Sequence, residues 1–76
     1  MENEMLDFVK ALSHANRLRI IGALTTRQGA TVTELAESLN LPFRDVFKHL
    51  SFFEYLGVAR KENDLYILNP DGVDAL

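Results

Sequence analysis

Thr31–Gly57, TVTELAESLNLPFRDVFKHLSFFEYLG, is the stretch whose reading decides the fold. Leu35, Ala36 and Leu39 recur at i, i+1 and i+4 in its first part. Val46, Leu50 and Phe53 recur at i, i+4 and i+7 in its second, and both spacings mark the apolar face of a helix. Only Asn40, Leu41 and Pro42 separate the two segments. Thr31 and Glu34 fit a capping box, with Thr31 as N-cap and Glu34 reaching back to it. Asn40 tolerates the left-handed conformation that ends a helix. Pro42 suits the first turn of the next helix, where no backbone N–H is required. That helix continues to about Leu56 and is closed by Gly57. A short helix, a tight break and a longer helix form the arrangement that offers a second helix to a DNA major groove.

Working outward, residues 2–12 place Met5, Phe8, Val9 and Leu12 at i, i+3, i+4 and i+7, a strong amphipathic pattern. Glu2, Glu4 and Asp7 lie in the first two turns, where negative charge favours the helix dipole. Ser13-His14-Ala15-Asn16 is expected to interrupt this helix, with Ser13 or Asn16 capping the next. The second helix is expected over about Ala15–Thr26, with Leu18, Ile21 and Leu24 inward; Arg17, Arg19 and Arg27 around its other sides could contact the DNA backbone near the helix ends, and solvated positions are favoured for them. Gly29 supplies a left-handed turn after it. Ala30 to Val32 reads as a link with one or two residues of strand.

Beyond Gly57 the period changes. Val58–Lys61 and Leu65–Leu68 flank Glu62-Asn63-Asp64, which predicts a tight antiparallel hairpin. Asn69-Pro70-Asp71-Gly72 is turn chemistry, and Val73–Leu76 is too short to classify, the start of a helix being one reading of it. The expected fold is mainly α with a small β-hairpin wing: a winged helix-turn-helix of about four helices, forming one domain over residues 1–76.

Composition sets limits on this expectation. A domain of 76 residues leaves about 40% of its unfolded surface exposed, so its stability is marginal. It has no cysteine to add disulfides or thiolate metal sites, and dimerisation is the common remaining remedy. No apolar run approaches a membrane span. The acidic first residues lack the apolar core of a signal peptide, so a cytoplasmic location is expected. The net charge of −3 is unusual for a nucleic-acid binder. Its distribution is more favourable, because residues 11–30 hold three arginines and no carboxylate while both ends of the chain are net acidic.

Four motifs in order then give a resemblance. Ala11-Leu12-Ser13-His14-Ala15-Asn16-Arg17-Leu18-Arg19-Ile20-Ile21 closely resembles the opening of ArsR-type winged-helix repressors. Thr33-Glu34-Leu35-Ala36 with Leu39-Asn40-Leu41 resembles their first recognition-unit helix and its turn. Lys48-His49-Leu50, followed by Leu56-Gly57-Val58, resembles their recognition helix and its exit. Tyr66 and Leu68 resemble their second wing strand. The resemblance covers roughly residues 5–69. It implies sequence-specific duplex DNA binding as a symmetric dimer and a role in transcriptional regulation. The chain departs from the family's metal sensors, whose cysteines or Asp/His sets have no counterpart here. Within these residues the C-terminal helix that usually completes the family's dimer interface is not expected to be built.

The expected DNA-binding residues are Thr33, Phe43, Arg44, Asp45, Phe47, Lys48, His49, Ser51, Arg60 and Lys61. Residues 43, 44, 47, 48 and 51 share a helix face opposite Val46, Leu50 and Phe53. Arg44 has the chemistry for a bidentate contact to guanine, whereas Lys48 and Ser51 suit phosphate, which positions without reading sequence. Three roles stand open for Phe43 and Phe47: contact with thymine methyl groups, core packing, or a patch for a protein partner. Core packing is favoured for Phe47. His49 matches a family histidine at the boundary of helix, DNA and core. Arg60 and Lys61 begin the wing, though Glu62 and Asp64 at its tip oppose DNA. The partner expected beside duplex DNA is a second copy, through Met5, Phe8, Val9 and Leu12. No cofactor or metal site is expected. His14 and His49, with no carboxylate or thiol constellation near them in sequence, make no catalytic centre, so an enzyme is not expected. The competing expectation is a winged-helix protein-interaction module that does not bind DNA.

Overall fold

A single helix of 24 residues, α1 (Glu4–Arg27), stands where two were expected. The computed structural model, which describes residues 4–71, therefore has three helices rather than four. The reason lies in Ser13-His14-Ala15-Asn16. Serine, histidine and asparagine each cost less than about 0.7 kcal/mol relative to alanine within a helix. None removes a backbone donor as proline would. Asn16 does not cap; its Oδ1 accepts a hydrogen bond from Arg19 Nη1 one turn later (3.3 Å).

Continuity shifts the inward face. Ile20 and Leu24 are buried and Ile21 is partly buried, but Leu18 is 58% exposed and points away from the core it was expected to join. At 100° per residue, the stripe of Met5, Phe8, Val9 and Leu12 is turned by roughly 100° from the line through Ile20 and Leu24. It therefore does not reach the core, and its four side chains are 52–74% exposed.

At the end of α1, Gln28 (φ 59) and Gly29 (φ 121) reverse the chain. A side chain at Gly29 would be strained at that φ and would meet Ile67 Cγ1 at 3.2 Å. The reversal delivers Ala30 to an isolated bridge with Tyr66: Ala30 N donates to Tyr66 O (3.1 Å) and Tyr66 N donates to Ala30 O (2.8 Å).

The second helix, α2 (Val32–Leu39), begins with the expected capping box. Glu34 N donates to Thr31 Oγ1 (3.1 Å) and Thr31 N donates to Glu34 Oε1 (2.9 Å). The hydrogen bonds from the Thr31 backbone and side chain hold the Glu34 carboxyl below its ordinary pKa. Asn40 takes the left-handed conformation (φ 55, ψ 48), and Leu41 N then donates to Ala36 O (3.0 Å). Arg19 is exposed, as expected, but it is tethered, because its Nη2 donates to Leu39 O at 2.6 Å. It thus places positive charge at the C-terminal end of α2, where the dipole favours it.

The third helix, α3 (Phe43–Leu56), starts one residue later than expected, with Pro42 as its N-cap, and Gly57 (φ 79) closes it. Strands β1 (Ala59–Glu62) and β2 (Leu65–Leu68) pair antiparallel, with Ala59 opposite Leu68 and Glu62 opposite Leu65. Asn63 turns the hairpin at φ 57. Asn69 ties its base to the end of α3, donating from Nδ2 to Gly57 O (3.0 Å) and from its backbone N to Val58 O (2.9 Å).

The core lies where these elements meet. Ile20 and Leu24 of α1, Leu35 of α2, and Val46, Leu50 and Phe53 of α3 are buried with Val58, Ala59 and Tyr66. The architecture is mainly helical with one two-stranded antiparallel hairpin. Among the described residues no helix is long and apolar enough to cross a membrane. The expectations for Glu2, Gly72 and Val73–Leu76 lie outside the described residues.

Candidate nucleic-acid interface

The core face of α3 fixes what the helix shows outward. Because Val46, Leu50 and Phe53 are buried, Arg44, Lys48, Ser51 and Tyr55, at i, i+4, i+7 and i+11, form the stripe opposite them. Arg44 and Lys48 are exposed and Ser51 is half-buried. Tyr55, which sequence reading passed over, is 84% exposed, and the same spacing would have found it. Among the described residues neither Arg44 nor Lys48 has an ion-pair partner. Asp45 is half-buried in the first turn, where its charge suits the helix dipole.

Phe43 and Phe47 occupy the flank of α3 nearer the hairpin. Phe47, for which core packing was expected, is instead 47% exposed, and Phe43 is 56% exposed. Their rings stack with centroids 6.4 Å apart. With Thr33 at the start of α2, and with Lys61, Asp64 and Tyr66 of the hairpin, they line a groove of about 420 Å³. The Lys61 ammonium lies 5.7 Å from the centroid of the Tyr66 ring. Tyr66 and Asp64 were not foreseen here, since a strand residue facing a helix end depends on pairing that local periodicity does not encode.

His49 belongs on the other flank. It is 6% exposed and so lies off the outward stripe where it was expected to meet DNA. Its position one residue before Leu50 turns it toward the core side. Burial, followed by the positive charges of Arg17 and Lys48, lowers its pKa below 6.5, with Asp45 opposing. The imidazole is therefore neutral at pH 7. On this flank the Arg17 guanidinium lies 5.0 Å from the centroid of Phe52, so Arg17 packs against α3 instead of standing in solvent.

The wing cations divide. Arg60 Nε donates to Glu62 Oε2 (2.6 Å) and its Nη1 donates to Asn69 Oδ1 (2.9 Å), so its guanidinium is committed within the hairpin. Lys61 is exposed and has no such tether among the described residues. Comparison with protein-family models, curated proteins and solved structures finds no match to this chain.

Proposed function

We propose that this chain is a winged helix-turn-helix transcriptional regulator, similar to the ArsR-type family, that binds duplex DNA with α3 in the major groove. The observation that carries this reading is the pair Arg44 and Lys48. Both stand exposed on the outward stripe of a helix held by α2 and a three-residue break, and neither has a counter-ion among the described residues. Arg44 lies in the first turn of α3, where such helices read base edges, and pairs with guanine. Lys48 and Ser51 contact phosphate. Lys61 reaches the flanking backbone from the hairpin; Arg60 does not, because Glu62 and Asn69 hold it. A second copy joins through Met5, Phe8, Val9 and Leu12, whose exposure has no use in the single chain. The test is titration of duplex DNA across a salt series. Affinity falls steeply with salt because releasing counterions from the DNA then contributes less, and absence of binding at low salt contradicts the reading.

A second reading is favoured by one observation, the stacked and exposed pair Phe43 and Phe47. In it, the winged-helix scaffold presents their groove to the apolar side chain of a protein partner and leaves DNA aside. Phe43→Ser separates the two readings: it abolishes partner capture in the second and leaves the salt dependence of DNA binding intact in the first.

A further inference from the structure

The inward line of α1 changes character part-way along its length. Read backward from the core, it runs Leu24, Ile20, Arg17, Ser13, Lys10, at alternating spacings of four and three residues. Residues so spaced lie on one side of a helix. The line is apolar where it meets the core and becomes cationic beyond it. At that point Lys10, Ser13, His14 and Arg17 line a hollow of about 340 Å³. The apolar residues of the same segment, Met5, Phe8, Val9 and Leu12, lie on a different side.

Arg17 supplies the second, independent observation. Its Nε is buried and has no hydrogen-bond partner among the described residues. An unpaired buried donor costs more on a charged group than on a neutral one. The guanidinium is also held in place, because one face stacks over Phe52. Because Nε is closed to solvent, the Nη groups are the donors that Arg17 has left for a ligand. The ligand matched to guanidinium, ammonium, imidazole and hydroxyl donors together is a tetrahedral oxyanion.

We propose that the hollow lined by Lys10, Ser13, His14 and Arg17 is a phosphate-binding site. Arg17 offers its guanidinium, Lys10 an ammonium, Ser13 a hydroxyl and His14 an imidazole donor. The phosphate comes from one of two sources, a nucleic-acid backbone or a free phosphate. The backbone source rests on the DNA-binding reading above, and the free source does not.

The experiment has two arms on the full chain. In the first, inorganic phosphate is titrated against the isotope-labelled protein, with sodium chloride at matched ionic strength as control. Saturable shifts at Lys10, Ser13, His14 and Arg17 are expected, and they disappear in Lys10→Gln and Arg17→Gln. Lys10 is exposed, so its variant keeps the test sound should Arg17→Gln fail to fold. In the second arm, duplex DNA is titrated across salt with wild type and Lys10→Gln. A backbone site lowers the slope of log affinity against log salt by about 1. Saturable phosphate shifts with an unchanged slope assign the site to free phosphate. Saturable phosphate shifts without any duplex binding uphold the site and overturn the DNA-binding reading. Shifts that chloride reproduces, together with an unchanged slope, overturn the proposal.

Discussion

The Arg17 guanidinium lies over the Phe52 ring, 5.0 Å from its centroid, and couples α1 to the flank of α3. Cation–π pairs at partly exposed sites contribute about 0.5–1 kcal/mol. Phe52→Leu keeps apolar volume and removes the ring, so it should destabilise by about that amount. A double-mutant cycle with Arg17→Met, read by urea denaturation, should return a coupling energy of the same size. A coupling of zero would mean that the two groups only happen to be close.

His49 makes stability depend on pH. In the unfolded chain it titrates near 6.5, and in the folded chain lower, because burial and then the Arg17 and Lys48 charges disfavour the imidazolium. Above 6.5 both states are neutral there and the residue contributes no pH dependence. As pH falls below 6.5 the unfolded state takes up the proton first, so stability declines until pH passes the folded value. Thermal melts between pH 7.5 and about 5 should show this decline, and His49→Gln should flatten it. An equal slope in the variant would place its origin in other groups.

The cap of α2 gives a third expectation. Thr31→Ala removes the acceptor for Glu34 N, and loss of such a cap costs about 1 kcal/mol. Thr31→Ser should restore most of it. Because α2 supports α3, the same loss should appear as faster amide exchange in α2, measured at Leu35 and Ala36. Unchanged exchange there would show that tertiary packing alone holds the helix.

How far the chain could be read in advance follows from where its information sits. Thr31, Glu34, Asn40, Gly57 and Asn63 act on their immediate neighbours, and each takes the local role its chemistry suggests. The join in α1 failed for the converse reason. Ser13-His14-Ala15-Asn16 contains polar residues that favour caps without forbidding helix, and only tertiary context decides between the two. That one error misplaced Leu18 and hid the line from Lys10 to Leu24. Phe47 was misjudged because its surroundings come from the hairpin, and His49 stood open between DNA and core because its surroundings come from α1. Arg60 reads as a wing cation until Glu62 and Asn69 are brought beside it by pairing.

The N-terminal stripe gives a prediction about assembly. Phe8 and Val9 lie at its centre, and Phe8→Glu introduces a charge into any face-to-face contact. Sedimentation should find wild type at twice the chain mass of 8.6 kDa and the variant at once that mass, with its helix content preserved. Wild type sedimenting as a single chain would remove the dimer from the proposed function.

Arg44 and Arg60 make the sharpest internal contrast, because one guanidinium stands free among the described residues and the other is held by Glu62 and Asn69. The most direct measurement is duplex-DNA affinity across a salt series for wild type, Arg44→Ala and Arg60→Ala. Wild-type affinity should fall steeply with salt. Arg44→Ala should lose about 1–3 kcal/mol on the preferred sequence and much of its preference, while Arg60→Ala should change little. Wild type that fails to bind duplex DNA at low salt, or an Arg44→Ala variant that binds as wild type does, would contradict α3 as the reading helix.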